Sequence, residues 1–78
     1  MAVTVEDIVK VIQQTNVVED PDKLRRDIKL TDQGIDSLDM FSVILALQEQ
    51  YQIEISDEDV DRLHTIEDLQ TYLNSRIT

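Results

Sequence analysis

GIDSLDM, at residues 34–40, is the segment that decides the fold of this chain. Asp36 is a favourable N-cap residue, Asp39 stands three positions later and an apolar run follows, which is the signature of a helix start. In this register Ser37 is the first helical residue, and its hydroxyl takes no part in capping. An anion attached to that hydroxyl would be stabilised by the helix dipole and by the free amide groups of the first turn.

The same start signal occurs at three further places. A capping residue, an aspartate three positions later and an apolar run follow one another at Thr4, Ser56 and Thr65. Four helix starts predict an all-α fold, a small four-helix bundle of three longer helices and one short helix. The first helix is predicted over roughly Thr4 to Thr15, and the last helix should end near the C-terminus.

Apolar residues at helical spacing mark the face that each helix should turn toward the core. Hydrophobic pairs that bracket three of the four starts support the same boundaries. The predicted inward positions are Val5, Ile8, Val9 and Ile12 in the first helix, Val60 and Leu63 in the short third helix, and Ile66, Leu69, Leu73 and Ile77 in the last.

A long loop, residues 16–35, separates the first two helices and lacks a strong period. Ordered loops of this length are uncommon and are often functional. A single turn is expected at Asp20-Pro21. The basic residues of the loop are interpreted as solvated partners of acidic neighbours. The side chains expected to hold the loop to the core are Val17, Leu24, Ile28 and Leu30.

Composition limits the class of protein. Residues 1–78 are expected to form a single domain. The absence of cysteine excludes disulfides and thiolate metal sites. The formal charge of −10 repels phosphate backbones, so basic protein surfaces are better partners than nucleic acid. No apolar run approaches the ~20 residues that span a bilayer, and no secretory signal is recognisable. We therefore expect a cytoplasmic protein that does not insert into membranes.

Two apolar stripes run along the predicted second helix, well over a right angle apart. A small bundle can bury only one of them fully, so the other either lies under the long loop or is exposed. Its position beside Ser37 favours a contact site for another protein. The first stripe is Met40, Val43, Ile44 and Leu47, and the second is Leu38, Phe41 and Leu45.

GIDSLDM, together with LALQEQYQIEISDEDVDRL at residues 45–63, resembles the acyl carrier protein family. The resemblance covers nearly the whole chain, including the helix order and the long first loop. It implies that Ser37 is esterified by a phosphopantetheine arm taken from coenzyme A. The arm supplies a thiol for acyl thioesters, which a chain without cysteine lacks. The resemblance also implies that Asp36 assists the phosphopantetheinyl transferase and its magnesium ion.

The resemblance further implies contacts with acyl-transferring and synthase enzymes that carry basic docking patches. The chain itself is expected to be a monomer. The matching contact positions are Leu38, Asp39, Phe41, Leu45 and Glu49, with further acids at Asp57 and Asp61. Part of the acyl chain could be sheltered by the first stripe, because a bundle this small cannot pack rigidly everywhere. That shelter would consist of Met40, Val43, Ile44 and Leu47.

Some positions depart from the family pattern. Members that serve fatty acid biosynthesis commonly carry acids where this chain has Ser42 and Gln48, and a proline where it has Ser56. Weaker acidity along the second helix favours a specialised carrier in a lipid or secondary-metabolite pathway. Two alternatives stay open: a carrier module for aminoacyl, polyketide or peptidyl intermediates, and, in another class, an unmodified structural partner protein.

The chain is not expected to be an enzyme. A serine hydrolase would need a base, an orienting acid and an oxyanion hole around Ser37. His64 is the only histidine and is expected at the junction of the last two helices. The aspartates from residue 57 to residue 61 are spaced like a calcium loop, but Arg62 stands where glycine is required, so no metal site is expected.

Overall fold

The computed structural model describes residues 2–77, and over that range the chain forms four α-helices and no strand. The helices are α1 (Val5–Thr15), α2 (Ser37–Tyr51), α3 (Asp57–Val60) and α4 (Ile66–Ile77). Helix α1 packs against both α2 and α4. The predicted all-α bundle of three longer helices and one short helix is confirmed. None of the helices in this range is long and apolar enough to cross a bilayer.

The predicted capping residues start the helices. At α1 the pair is reciprocal: the amide of Asp7 donates to Thr4 Oγ1 at 3.2 Å, and the amide of Thr4 donates to Asp7 Oδ2 at 3.0 Å. Thr65 and Asp68 form the same two-way pair at α4, with distances of 3.0 and 3.1 Å. At α2 and α3 the predicted side chains accept from the amide three residues on. The short aspartate side chain is therefore long enough to close a capping box.

The core is built from aliphatic side chains and one methionine, and no polar residue between positions 2 and 77 is buried. One predicted core position is wrong, and one residue that is buried as predicted lies outside its predicted helix. Ile77 is exposed because it lies in the final turn of α4, beyond the last buried position at Leu73. Leu63 is buried as predicted but lies outside α3, which ends at Val60 and continues as a turn.

The loop between α1 and α2 contains two short 3₁₀ turns, Pro21–Lys23 and Leu30–Gln33. The first confirms the expected turn. Leu30 is fully buried, and its amide donates to the carbonyl of His64 at 2.8 Å. Gly34 then adopts a φ of 93°, which glycine tolerates without steric cost, and leads the chain into α2. The loop is thus fixed against the α3–α4 junction.

Ile28 does not hold this loop to the core as predicted, since its side chain is exposed. The side chain of Gln33 instead joins two parts of the loop to each other through backbone groups. Its Oε1 accepts from the amide of Arg25 at 2.6 Å, and its Nε2 donates to the carbonyls of Arg25 and Ile28 at 2.9 and 2.8 Å. Hydrogen bonds from a side chain to the backbone therefore order residues 25–28, where the apolar pattern predicted packing of Ile28 against the core.

Candidate functional site

Ser37 is the first residue of α2 and is exposed. The preceding residue, Asp36, has extended backbone angles, and its Oδ1 accepts a hydrogen bond from the amide of Asp39 at 2.8 Å. Asp36 is therefore the N-cap, as predicted, and the Ser37 hydroxyl is left out of the cap. It lies at the amino end of a helix of fifteen residues, where negative charge is stabilised.

A crevice of about 220 Å³ opens beside Ser37. Its walls come from the second 3₁₀ turn and the first turns of α2, which are close in sequence, and from the distant end of α3 with the junction that follows. The bond from the Leu30 amide to the His64 carbonyl joins the first of these segments to the third. The crevice is lined by Thr31, Ser37, Met40, Phe41, Val60, Asp61, Leu63 and His64.

The predicted acyl shelter is divided between this crevice and the core. Met40 lines the crevice, while Val43, Ile44 and Leu47 lie in the core, each with at most 1% of its surface exposed. The opposite wall, with Val60 and the buried residue 63, was not assigned to the site from the sequence. The one feature of the sequence that pointed to this wall was the helix junction expected near residue 64.

The second apolar stripe of α2 is exposed and does not lie under the loop. Leu38 has 80% of its surface exposed, Phe41 52% and Leu45 45%. The acidic positions predicted to accompany the stripe are also accessible. Glu49, Asp57 and Asp61 are exposed, and Asp39 is half-buried. An apolar surface bordered by carboxylates therefore begins next to Ser37.

One of the aspartates near α3 is hydrogen-bonded to the last helix. Among residues 2–77 no group of three or more His, Asp or Glu side chains is placed to hold a metal ion. Asp59 instead accepts a hydrogen bond from the phenol of Tyr72 at 2.7 Å. That hydrogen bond is the main reason that the pKa of Asp59 lies below its usual value. Burial and then the same hydrogen bond raise the pKa of Tyr72.

The departures at residues 42 and 48 have local structural roles. Gln48 is half-buried, and its Oε1 accepts a hydrogen bond from the amide of Ile55 at 2.9 Å. Ser42 is exposed, and its hydroxyl donates to the carbonyl of Leu38 at 3.3 Å. The side chain of Gln48 is thus turned toward the segment that follows α2.

An exposed hydroxyl, a helix end that favours a phosphate and an adjoining crevice fit a site that receives a phosphorylated arm. Residues 4–73 match a family model described as "Phosphopantetheine attachment site". The fold and the match define the class of protein, a domain that bears phosphopantetheine.

Curated relatives narrow that class. An acyl carrier protein from Bdellovibrio bacteriovorus is 37% identical over 73 residues, which cover 92% of this chain and 88% of the relative. An acyl carrier protein from Campylobacter lari is 38% identical over 71 residues, which cover 90% of this chain and 91% of the relative. The chain belongs to the acyl carrier protein family, whose cofactor is phosphopantetheine. Proteins of this family are carriers rather than catalysts, and their usual role is in fatty acid biosynthesis.

Proposed function

We propose that Ser37 carries the phosphopantetheine arm, and that the chain delivers acyl intermediates to partner enzymes without catalysing their reactions. The position of Ser37 carries the proposal. It is the exposed first residue of α2, freed from capping by Asp36, and it stands at the mouth of the crevice. A transferase can reach such a hydroxyl directly, and the chain's contribution is to present it.

Attachment forms a bond between Ser37 Oγ and the phosphorus of phosphopantetheine. The pyrophosphate bond of coenzyme A breaks, adenosine 3′,5′-bisphosphate leaves, and the hydroxyl proton passes to a base of the transferase. The new phosphodiester keeps one negative charge, which the amino end of α2 stabilises. Once attached, the group supplies the thiol on which acyl groups are carried as thioesters. We assign to Asp36 the recognition of the transferase and its magnesium ion.

Intact mass spectrometry tests the attachment. The purified chain is incubated with coenzyme A, magnesium and a phosphopantetheinyl transferase of broad specificity. We expect the mass of one phosphopantetheine group to be added to the wild-type chain and none to Ser37→Ala. Ser42→Ala is the matched control, because Ser42 is also an exposed serine of α2, and it should be modified like the wild type. A Ser37→Ala chain that still gains the mass would disprove the assignment.

The exposed stripe supports a proposal for partner contact. We assign it to enzymes with basic docking patches, since its apolar side chains are bordered by carboxylates. The contact residues would be Leu38, Asp39, Phe41, Leu45 and Glu49 on α2, with Asp57 and Asp61 near α3. Phe41→Ala and Glu49→Lys should each slow acyl transfer to the cognate enzyme. If acyl transfer were unchanged in both variants, the docking surface would not lie on α2.

The same helix supports a specialised pathway rather than bulk fatty acid synthesis. Asp39 and Glu49 are the acids of α2, and the positions between them carry no carboxylate. Enzymes that select carriers with a more acidic second helix should use this chain poorly. The test compares the wild type with a Ser42→Asp, Gln48→Glu double variant as a substrate for fatty acid synthesis enzymes. Equal rates for the two chains would contradict specialisation.

We propose the crevice as the entrance to the acyl shelter. Met40 forms part of its wall, and Val43, Ile44 and Leu47 lie in the core. A short acyl chain would contact Met40, and a longer one would reach the other three by displacing side chains. Met40→Ala should therefore alter how strongly a loaded chain protects its thioester from hydroxylamine. Leu45→Ala, on the exposed face of α2 and outside the crevice lining, serves as its control.

A further inference from the structure

Helix α3 forms one wall of the crevice, and only Val60 among its residues packs against the core, partly buried. It has four residues, Asp57–Val60, and none of them is fully buried. A helix of one turn has no stability of its own, so its position depends on contacts with the rest of the fold. Val60, Asp61 and Leu63, at and just beyond its end, line the crevice beside Ser37. Whatever holds α3 in place therefore also sets the shape of the crevice.

Two side chains on α4 reach across to this segment. The phenol of Tyr72 donates to Asp59 Oδ2 at 2.7 Å. The guanidinium of Arg76 lies 5.6 Å from the centre of the Tyr72 ring, and its Nη2 donates to the carbonyl of Glu54 at 3.2 Å. The segment from residue 54 to residue 59 is thus held to α4 at both of its ends.

We propose that Tyr72 is a positioning residue, which holds α3 through its hydrogen bond to Asp59 and thereby sets the width of the crevice beside Ser37. The part of this inference that concerns acyl cargo rests on the proposed function. The part that concerns the position of α3 does not.

The chemistry of the pair favours this role. A hydrogen bond from a phenol to a carboxylate is charge-assisted and is stronger than one between neutral groups. The charges around it are Arg62 and Arg76, both of which favour the ionised carboxylate. Arg76 also favours the phenolate, but burial and Asp59 outweigh it and raise the pKa of Tyr72. The donor and the acceptor therefore both keep the charge state that the bond needs throughout the neutral range.

Amide hydrogen exchange on the unmodified chain tests the position of α3. Tyr72→Phe removes the hydroxyl but keeps the ring beneath Arg76. We expect amides of residues 57–63 to exchange about fivefold faster, the factor that corresponds to one lost hydrogen bond. Amides of α1 should be unaffected. Tyr51→Phe is the matched control, and it removes a hydroxyl from α2 without changing exchange at 57–63.

Exchange at residues 57–63 that is unchanged in Tyr72→Phe would overturn the proposal. So would an equal rise across all helices, which would show a general loss of stability. Asp59→Asn keeps an oxygen that can accept from Tyr72, and its exchange at 57–63 should lie between that of the wild type and that of Tyr72→Phe.

The second experiment tests the crevice and uses chains that carry the arm and an acyl group. Hydroxylamine cleavage of the thioester is compared for an acetyl group, which is too short to enter, and for an acyl group of medium length. Tyr72→Phe should speed cleavage of the longer thioester and leave the acetyl thioester unchanged. If Tyr72→Phe accelerated cleavage of both thioesters equally, or accelerated neither, the link between Tyr72 and the crevice would be overturned. If Ser37 did not carry the arm, the intact mass of the chain would show this before the cleavage assay. Failure of the proposed function is therefore distinguished from failure of the link between Tyr72 and the crevice.

Discussion

The side-chain oxygen of Gln48 accepts a hydrogen bond from the backbone amide of Ile55 at 2.9 Å. This bond joins the last turn of α2 to the segment that leads into α3. Ile55 is buried, so its amide has little access to water if the partner is removed. Gln48, which stands where the resemblance led us to expect an acid, thus has a structural role, and a glutamate could accept the same bond.

Replacing Gln48 with alanine should lower the free energy of unfolding by about 1–2 kcal/mol, because the amide of Ile55 loses its acceptor. Gln48→Glu retains an acceptor and should lose less. Urea denaturation followed by circular dichroism gives both values. Equal losses in the two variants would show that the hydrogen bond contributes nothing.

Asp36 has two separable roles, as the cap of α2 and as the residue assigned to transferase recognition. Asp36→Ala removes the cap and should cost about 1 kcal/mol of stability. Asp36→Asn caps a helix as well as aspartate does, but it removes the charge. We expect Asp36→Asn to be more stable than Asp36→Ala and to be modified more slowly than the wild type at Ser37. If a stable Asp36→Asn chain received phosphopantetheine at the wild-type rate, Asp36 would have no role in transferase recognition.

The two stripes of α2 should respond differently to truncation. Leu47 is fully buried, and Leu47→Ala should cost about 2–5 kcal/mol. Leu38 is 80% exposed, and Leu38→Ala should stay within about 0.5 kcal/mol of the wild type. Transfer to the cognate enzyme should nevertheless fall in Leu38→Ala. Thermal denaturation and a transfer assay on the same samples separate the two effects.

Asn74 fastens the start of the chain to α4. Its Oδ1 accepts from the amide of Val3 at 2.8 Å, and its Nδ2 donates to the carbonyl of Val3 at 3.1 Å. Val3 is buried, so Asn74→Ala should cost about 1–3 kcal/mol. Gln70 also donates to that carbonyl, at 3.2 Å, and Gln70→Ala should cost less because Asn74 still satisfies it. A larger loss in Gln70→Ala would reverse this order of importance.

The hydrogen bond between Tyr72 and Asp59 should stabilise the fold over a defined pH range. The pKa of Asp59 is lowered from 3.8, so its contribution is present above that value and is lost as the pH falls through the folded-state pKa. The pKa of Tyr72 is raised from 10.0, so its contribution is present below that value and is lost as the pH rises through the folded-state pKa. The stability difference between the wild type and Tyr72→Phe should be constant between these limits and smaller outside them. Urea midpoints measured from acidic to alkaline pH check this, and a difference that does not change with pH would contradict it.

The helices could be predicted because their boundaries are set by neighbours in sequence. Thr4, Asp36, Ser56 and Thr65 accept hydrogen bonds from amides three residues away, so the residues that define each start lie within one turn. The exposed first position of Ser37 follows from the same local rule. The exposure of the Leu38 stripe was one of two open alternatives, because periodicity separates two faces without stating which one the loop covers.

The crevice and its support could not be predicted from the sequence. Thirteen positions separate Asp59 from Tyr72, and their hydrogen bond depends on how α3 lies against α4. Gln33 likewise reaches back eight residues to Arg25, a contact that no apolar period encodes. Such contacts follow from tertiary packing, and they involve polar side chains that a pattern of hydrophobic residues leaves undefined.

The interior of this fold has consequences for how the family diverges. Between residues 2 and 77 the core holds only aliphatic side chains and a methionine, with no hydrogen-bonding group that demands a particular partner. Exchanges among such residues that conserve volume typically cost less than about 1.5 kcal/mol. Such a core is compatible with the sequence divergence seen in a relative that is 37% identical to this chain. Substitutions at the outward positions of α2, the proposed docking surface, would then be expected to change which enzymes the carrier serves without disturbing this core.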